Sequence, residues 1–178
     1  MFRVVLWIVL IVCASNINCH LINFLMKVVI DTNILIDAMA DDFSYTWKII
    51  DLVLTGEIEA IASEKILKEN KLIIARNIVR ARDNERLEKF FNAVKVILVD
   101  KKVLAVLDDT EDNKFVECAL EAEADYIISS DKHLLFLEKY ESVKILSPKD
   151  FWLVYTGQKD DDEEWKKIFK NILGIDKK

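Results

Sequence analysis

The 178-residue chain is short of the residues that most often announce a function. Its three glycines, Gly56, Gly157 and Gly174, lie too far apart for a GxGxxG turn, a Walker loop or a GxSxG elbow. A single proline, Pro148, argues against proline-rich linkers. Histidine is limited to His20 and His133, which argues against chemistry that needs two converging imidazoles. Of the three cysteines, Cys13 and Cys19 lie near the N-terminus, so Cys118 stands alone in the remainder. A lone cysteine on an apolar helix face fits inert core and a reducing compartment. The longest apolar run, Val4 to Ala14, is too short to span a bilayer, and no membrane partner is expected. Behind Arg3, and with small residues at Val12 and Ala14, it has the pattern of a secretory signal. The preferred reading is instead that translation starts at Met26, which opens directly into an apolar strand. Residues 1–25 are then a start-site artefact and the protein is cytoplasmic; export is the alternative.

Apolar residues are abundant at 52%, with 31% charged, so a packed core is expected. Acidic residues outnumber basic ones 31 to 25, and a net charge of −6 does not suit a tight, non-specific nucleic-acid binder. Short β-branched runs alternate with helical patterns through residues 26–157. Strands are expected at Val28–Asp31, Ile58–Ala62, Val94–Val99, Tyr126–Ser129 and Val143–Leu146. The intervening helices include Ser63 to about Arg76, Asp112–Ala122 and Lys132–Tyr140. Ser147-Pro148-Lys149-Asp150 supplies a cap, a first-turn proline and an acid at N3, which together start a last helix. Apolar strands alternating with helices imply a parallel sheet covered on both faces, a three-layer α/β/α sandwich. Residues 158–178 form a third segment. There an acidic run, Lys159–Glu164, precedes Trp165, Ile168, Phe169, Ile172 and Leu173 at amphipathic-helix spacing, a face to pack in cis, on a twin subunit or on a partner.

Carboxylates are what remain for chemistry. In open parallel sheets ligands bind beyond the carboxyl ends of the strands, where strand order reverses. Asp31 closes the first strand and Asp131 follows the fourth by two residues. Asp112 starts the inward stripe Asp112, Phe115, Val116, Ala119, and Glu69 lies on the edge of its helix's apolar face. Acids crowded together repel one another unless a cation joins them, and an all-oxygen donor set selects Mg²⁺ or Mn²⁺. Such a site activates water for phosphodiester hydrolysis. Each acid alone has a plainer explanation: Asp131 as an N-cap, Asp112 as a first-turn acid favoured by the helix dipole.

Four segments resemble the motifs of the PIN-domain ribonucleases. They are Val29–Leu35 (VIDTNIL), Ser63–Glu69 (SEKILKE), Asp109–Leu120 (DTEDNKFVECAL) and Ala124–Leu135 (ADYIISSDKHLL). The likeness runs in order from Met26 to about Tyr155 and is greatest to the VapC-like toxins of type II toxin–antitoxin pairs. It implies a five-stranded parallel sheet of order 3-2-1-4-5 and a Mg²⁺- or Mn²⁺-dependent endoribonuclease. It also implies that Asp31, Glu69, Asp112 and Asp131 are the metal-binding and catalytic acids, supported by Thr32, Asn33 and Ser129. Asp109 and Asn113 are candidate supporting groups, with a loop or helix-start role as the alternative. The family often has proline where Thr110 stands and aspartate where Glu111 stands.

Charge is uneven along the chain. Residues 64–95 carry 9 basic against 5 acidic groups, whereas 26–63 carry 2 against 7 and 96–157 carry 7 against 13. Arg76, Arg80, Arg82 and Arg86 in the basic stretch are the candidate contacts to an RNA backbone, a solvated helix face being the alternative. The expected partners are RNA, a cognate antitoxin protein and a second copy in a homodimer. An RNA-processing nuclease outside any toxin pair, or an inactive RNA- or protein-binding module, are the competing functions. A receiver-like domain suits the sequence poorly because Asp31 is followed by Thr32-Asn33, and Asn33 likewise breaks the DxDxT pattern of a phosphatase.

Overall fold

The structure is a computed structural model that describes residues 25–41, 44–77, 81–107 and 109–157, excepting the side chains of 81 and 82. The N-terminal extension and the segment 158–178 therefore lie outside the described residues. The first strand, β1 (Met26–Ile30), leads into helix α1 (Thr32–Ala40), and α2 (Tyr45–Leu54) follows. Strand β2 (Ile58–Ser63), helices α3 (Glu64–Asn77) and α4 (Ala81–Ala93) and strand β3 (Lys95–Ile97) come next. A single 3₁₀ turn (Thr110–Asp112) opens α5 (Asn113–Ala122), which precedes β4 (Tyr126–Ile128) and the short α6 (Lys132–Phe136). Strands β5 (Lys139–Tyr140) and β6 (Val143–Leu146) and helix α7 (Pro148–Thr156) complete the domain.

The sheet order is β3-β2-β1-β4-β6-β5. Val28 pairs with Ala60 on one side and Tyr126 on the other, and all of these ladders are parallel. The parallel part is the expected 3-2-1-4-5 order. A sixth strand corrects the expected count of five. Lys139 and Tyr140, expected to end a helix that begins at Lys132, instead pair antiparallel with Lys144 and Val143. The helix stops at Phe136 because Glu138 takes a positive φ of 53°, a left-handed turn that a helix cannot continue through, and Glu141 at 51° closes the hairpin. Strand β3 is shorter than expected and exposed at Lys95 and Val96, as suits a sheet edge.

Alternating side chains feed two cores. Val28 and Ile30 pack with Ile34, Leu35, Ile50, Phe90 and Phe151 on the face covered by α1, α2, α4 and α7. Val29 and Ile127 pack with Phe115, Val116, Ala119 and Leu134 on the opposite face, under α5 and α6. Cys118 is buried there, and burial pushes its thiol up to about 12, which makes it inert. At the last helix Ser147 Oγ accepts from the Asp150 backbone N–H at 3.2 Å and donates to its carboxylate at 2.6 Å, the expected start signal.

Strand order reverses between β1 and β4, because the chain builds β2 and β3 on one side of β1 before crossing to the other. The ends of β1 and β4 therefore open a crevice that α5 covers from one face. That crevice is where residues 31 and 129–131 emerge.

Candidate active site

Asp31 leaves the end of β1 and is 3% exposed. Its backbone N–H still donates to Ile128 at 3.0 Å, so the carboxyl is held in register with the end of β4. One carboxylate oxygen accepts the α1 cap bond from the Asn33 N–H at 3.3 Å, and the other accepts from Ser129 Oγ at 2.6 Å. Burial pushes Asp31 above the ordinary carboxylate range. The bonds from Ser129 and Asn33 oppose that shift, Asp131 adds to it and Lys114 reduces it.

Ser129 is fully buried and joins two acids. While donating to Asp31 it accepts from the Asp131 backbone N–H at 2.9 Å. Asp131 is the N-cap of α6, accepting from the His133 N–H at 2.7 Å. The cap role considered for it from sequence is present, yet its charge also acts on Asp31 and Asp112.

Asp112 ends the 3₁₀ turn and stands at the N-cap position of α5 without making a side-chain cap bond. Its carboxyl is pushed up to about 6, first by desolvation and then by the like charges of Asp109, Asp31 and Asp131, with Lys114 opposing. A capping acid satisfied by backbone N–H groups would shift the other way. Asp31, Asp112 and Asp131 thus form one electrostatic unit at the mouth of the crevice.

Glu69 reaches this unit through an intermediary. Both of its carboxylate oxygens accept from Lys114 Nζ, at 2.7 and 2.6 Å. Lys114 lies within one of the motifs, but nothing in its spacing marks it as a site residue; only the fold turns it toward Glu69, which is 45 residues away.

The supporting residues divide. Thr32 is buried and its hydroxyl donates to the buried Asn70, tying α1 to α3 beside the crevice. Asn33 is exposed and contributes its backbone N–H to Asp31. Asp109 is exposed and accepts from the Glu111 N–H at 3.0 Å, starting the 3₁₀ turn. Asn113 has the loop role: it accepts from the N–H groups of Ala105 and Val106 at 2.7 and 2.8 Å and donates to the carbonyls of Val106 and Thr110. Among the basic candidates Arg76 is exposed at the end of α3. It lies seven residues after Glu69, hence on nearly the same face and roughly 10 Å along the axis. Arg86 is committed elsewhere, ion-paired with Asp51 and stacked over the Trp47 ring, with 4.1 Å from its guanidinium carbon to the ring centroid. Arg80 and the side chain of Arg82 lie outside the described residues.

The family model for the PIN domain matches residues 27–133, a span that contains all four acids. The chain belongs to the PIN-domain family. PIN-domain proteins are nucleases that act on RNA and generally use divalent metal ions, which gives this fold its hydrolase character. The chain is 34% identical over 139 residues to the uncharacterised protein MJ1680 of Methanocaldococcus jannaschii, covering 71% of this chain and 89% of that one. The crystal structure of PAE2754 from Pyrobaculum aerophilum superimposes with a TM-score of 0.51 at 15% identity, over 76% of this chain and all of that one, and so shares the fold.

The donors present in this PIN domain suit a hard divalent ion in type, since they are all carboxylate oxygens and three of them repel one another. Among the described residues, no group of three or more His, Cys, Asp or Glu side chains is already arranged to hold one ion. Among the same residues no helix is long and apolar enough to cross a membrane.

Proposed function

We propose that the protein is a Mg²⁺- or Mn²⁺-dependent endoribonuclease whose working acids are Asp31, Glu69, Asp112 and Asp131. The observation that carries this reading is Asp112: a half-buried carboxyl without a cap bond, pushed up to about 6 by burial and by Asp109, Asp31 and Asp131. A structural acid in that position costs stability; an ion that binds the ionised form recovers it. Asp31, Asp112 and Asp131 would hold the ion, water and side-chain rotation completing its shell. When bound, the ion lowers the pKa of its water and offsets charge on the phosphoryl oxygens. Ser129 fixes the orientation of Asp31, and the N–H bond from His133 fixes that of Asp131. Arg76, exposed on the face of α3 that carries Glu69, would meet a neighbouring phosphate of the strand.

The test is cleavage of single-stranded RNA by the purified protein. Activity should require Mg²⁺ or Mn²⁺, stop with EDTA, disappear in Asp112→Asn, and leave 5′-phosphate and 3′-hydroxyl ends, since water is the nucleophile. Cleavage that persists in EDTA, or 2′,3′-cyclic phosphate ends, overturns the mechanism.

The likeness of the motifs to VapC-like toxins supports a toxin role, with cytoplasmic RNA as target, a homodimer and a protein antitoxin as partner. Expression of the wild type should arrest growth, and co-expression of a small protein encoded next to it should relieve the arrest. Growth unaffected by an active nuclease favours an RNA-processing enzyme instead.

A further inference from the structure

Away from the crevice, helices α3 and α4 leave a groove of about 440 Å³ between them. Its floor is Ile74, Leu87 and Phe91, all buried, and its rim includes the exposed Lys71, Ala75 and Glu88. Lys71 Nζ stands 5.8 Å from the Phe91 ring centroid, a cation leaning over the apolar floor. An apolar floor with a polar rim is the surface into which an amphipathic helix lays its apolar face. Along α4 the groove runs from Asn84 to Asn92, about 12 Å of helix.

The chain carries a segment of matching form outside the described residues. Trp165, Ile168, Phe169, Ile172 and Leu173 share one stripe at helical spacing, while Lys166, Lys167 and Lys170 fall on the other side. From Trp165 to Leu173 such a helix is also about 12 Å long. The groove is within its reach. Helix α7 packs on α2, and α2 meets α4 through the ion pair of Asp51 with Arg86. Two helix spacings, about 16–20 Å, therefore separate α7 from α4. Residues 158–164, between the end of α7 and Trp165, extend to about 23 Å. Charge agrees as well. Asp160 to Glu164 is an unbroken acidic run, whereas residues 64–95 carry 9 basic against 5 acidic groups. Lys71 lies at one end of the groove and the exposed Arg76 follows Ala75 at the other, so docking in either direction brings the acidic run against a cation.

We propose that residues 165–173 dock in the α3–α4 groove of their own chain and hold the acidic run against the basic face beside it, a built-in brake on RNA binding. The brake rests on the nuclease reading above; the docking does not. Tethering gives the segment a high effective concentration at the groove, so a modest contact suffices. Docking also removes an aromatic stripe from water, and the acidic run then competes with phosphates for the same cations.

Hydrogen exchange of the full chain tests the docking, with thermal melts to verify folding. Amides of residues 165–173 should exchange about tenfold more slowly in the wild type than in Ile168→Ser/Ile172→Ser, at every chain concentration. Ala75→Trp, which fills the groove from an exposed position, should release the segment in the same way. Affinity for a fluorescent, mixed-sequence single-stranded RNA is measured in EDTA. It should rise roughly fivefold in Ile168→Ser/Ile172→Ser and in Asp160→Asn/Asp161→Asn/Asp162→Asn. Fast exchange of 165–173 in the wild type, or protection that Ala75→Trp leaves unchanged, overturns the docking. Protection that grows with chain concentration assigns the groove to a second copy's segment and overturns it too. An unchanged RNA affinity once the segment is released overturns the brake. If neither the wild type nor any variant binds RNA, the nuclease reading and the brake fall together, and the exchange data still decide the docking.

Discussion

Replacing Asp112 with asparagine should separate the cost of crowding carboxylates from their use. In the folded chain Asp112 ionises only near pH 6, against an ordinary 3.8, because burial, Asp109, Asp31 and Asp131 all disfavour its charge. The sign follows from proton linkage. Between pH 4 and 6 the folded protein binds more protons at this group than the unfolded chain, so stability falls as pH rises through that window. The full displacement corresponds to about 3 kcal/mol at neutral pH. Asp112 is only half-buried, and solvent screening reduces this to ~1 kcal/mol. Asparagine keeps the shape and removes the charge. The metal-free variant should therefore melt roughly 3 °C higher than wild type at pH 7.5, for about 1 kcal/mol in a domain of this size. The difference should vanish near pH 4, where the wild-type carboxyl is protonated. Saturating Mg²⁺ should reverse the ranking, since an ion at a hundred times its dissociation constant adds about 2.7 kcal/mol to the protein that binds it. Melts of both proteins at the two pH values, with EDTA and with Mg²⁺, make the measurement. If Asp112→Asn melts lower at pH 7.5 without metal, or by the same margin at both pH values, Asp112 is a helix-start residue and the electrostatic argument fails.

Ser129→Ala leaves a buried Asp31 oxygen and the Asp131 N–H without their partner, and should cost about 2 kcal/mol in urea unfolding together with at least tenfold in kcat/KM. Asn113→Ala removes four hydrogen bonds to the Ala105–Thr110 segment. It should lower stability by about 2–3 kcal/mol while the folded fraction still binds Mn²⁺ normally; loss of Mn²⁺ binding at full foldedness would return it to the site. Arg76→Ala should weaken RNA binding alike for all sequences and make the salt slope shallower by about 0.7, as one lost phosphate contact on a single strand requires. Arg86→Ala should instead lower the melting temperature through the lost Asp51 and Trp47 contacts and leave that slope unchanged.

What the chain determines locally is legible in its sequence. The apolar runs Val28–Ile30 and Ile127–Ile128, separated by helical patterns, leave no arrangement but a covered parallel sheet, because strands without polar alternation must be buried on both faces. Ser147-Pro148-Lys149-Asp150 starts a helix through bonds that span three residues, and Asp31 sits after a strand whose last residue is visible from β-branching. The hairpin at Lys139–Tyr140 was not readable, since it depends on left-handed backbone at Glu138 and Glu141, residues without a glycine's signature. Tertiary structure alone divided the candidate residues by role. Whether Asn113 supports an ion or a loop depends on which backbone groups lie within hydrogen-bond reach of its amide. Whether Arg86 meets RNA or Asp51 depends on a helix 35 residues earlier in the chain. The pairing of Lys114 with Glu69 is the clearest case, for two unremarkable charges on separate helices, 45 residues apart, become neighbours only on folding. Local patterning sets the elements because it acts over one or two turns; the charge balance of the crevice is a sum over groups that the chain brings together only on folding.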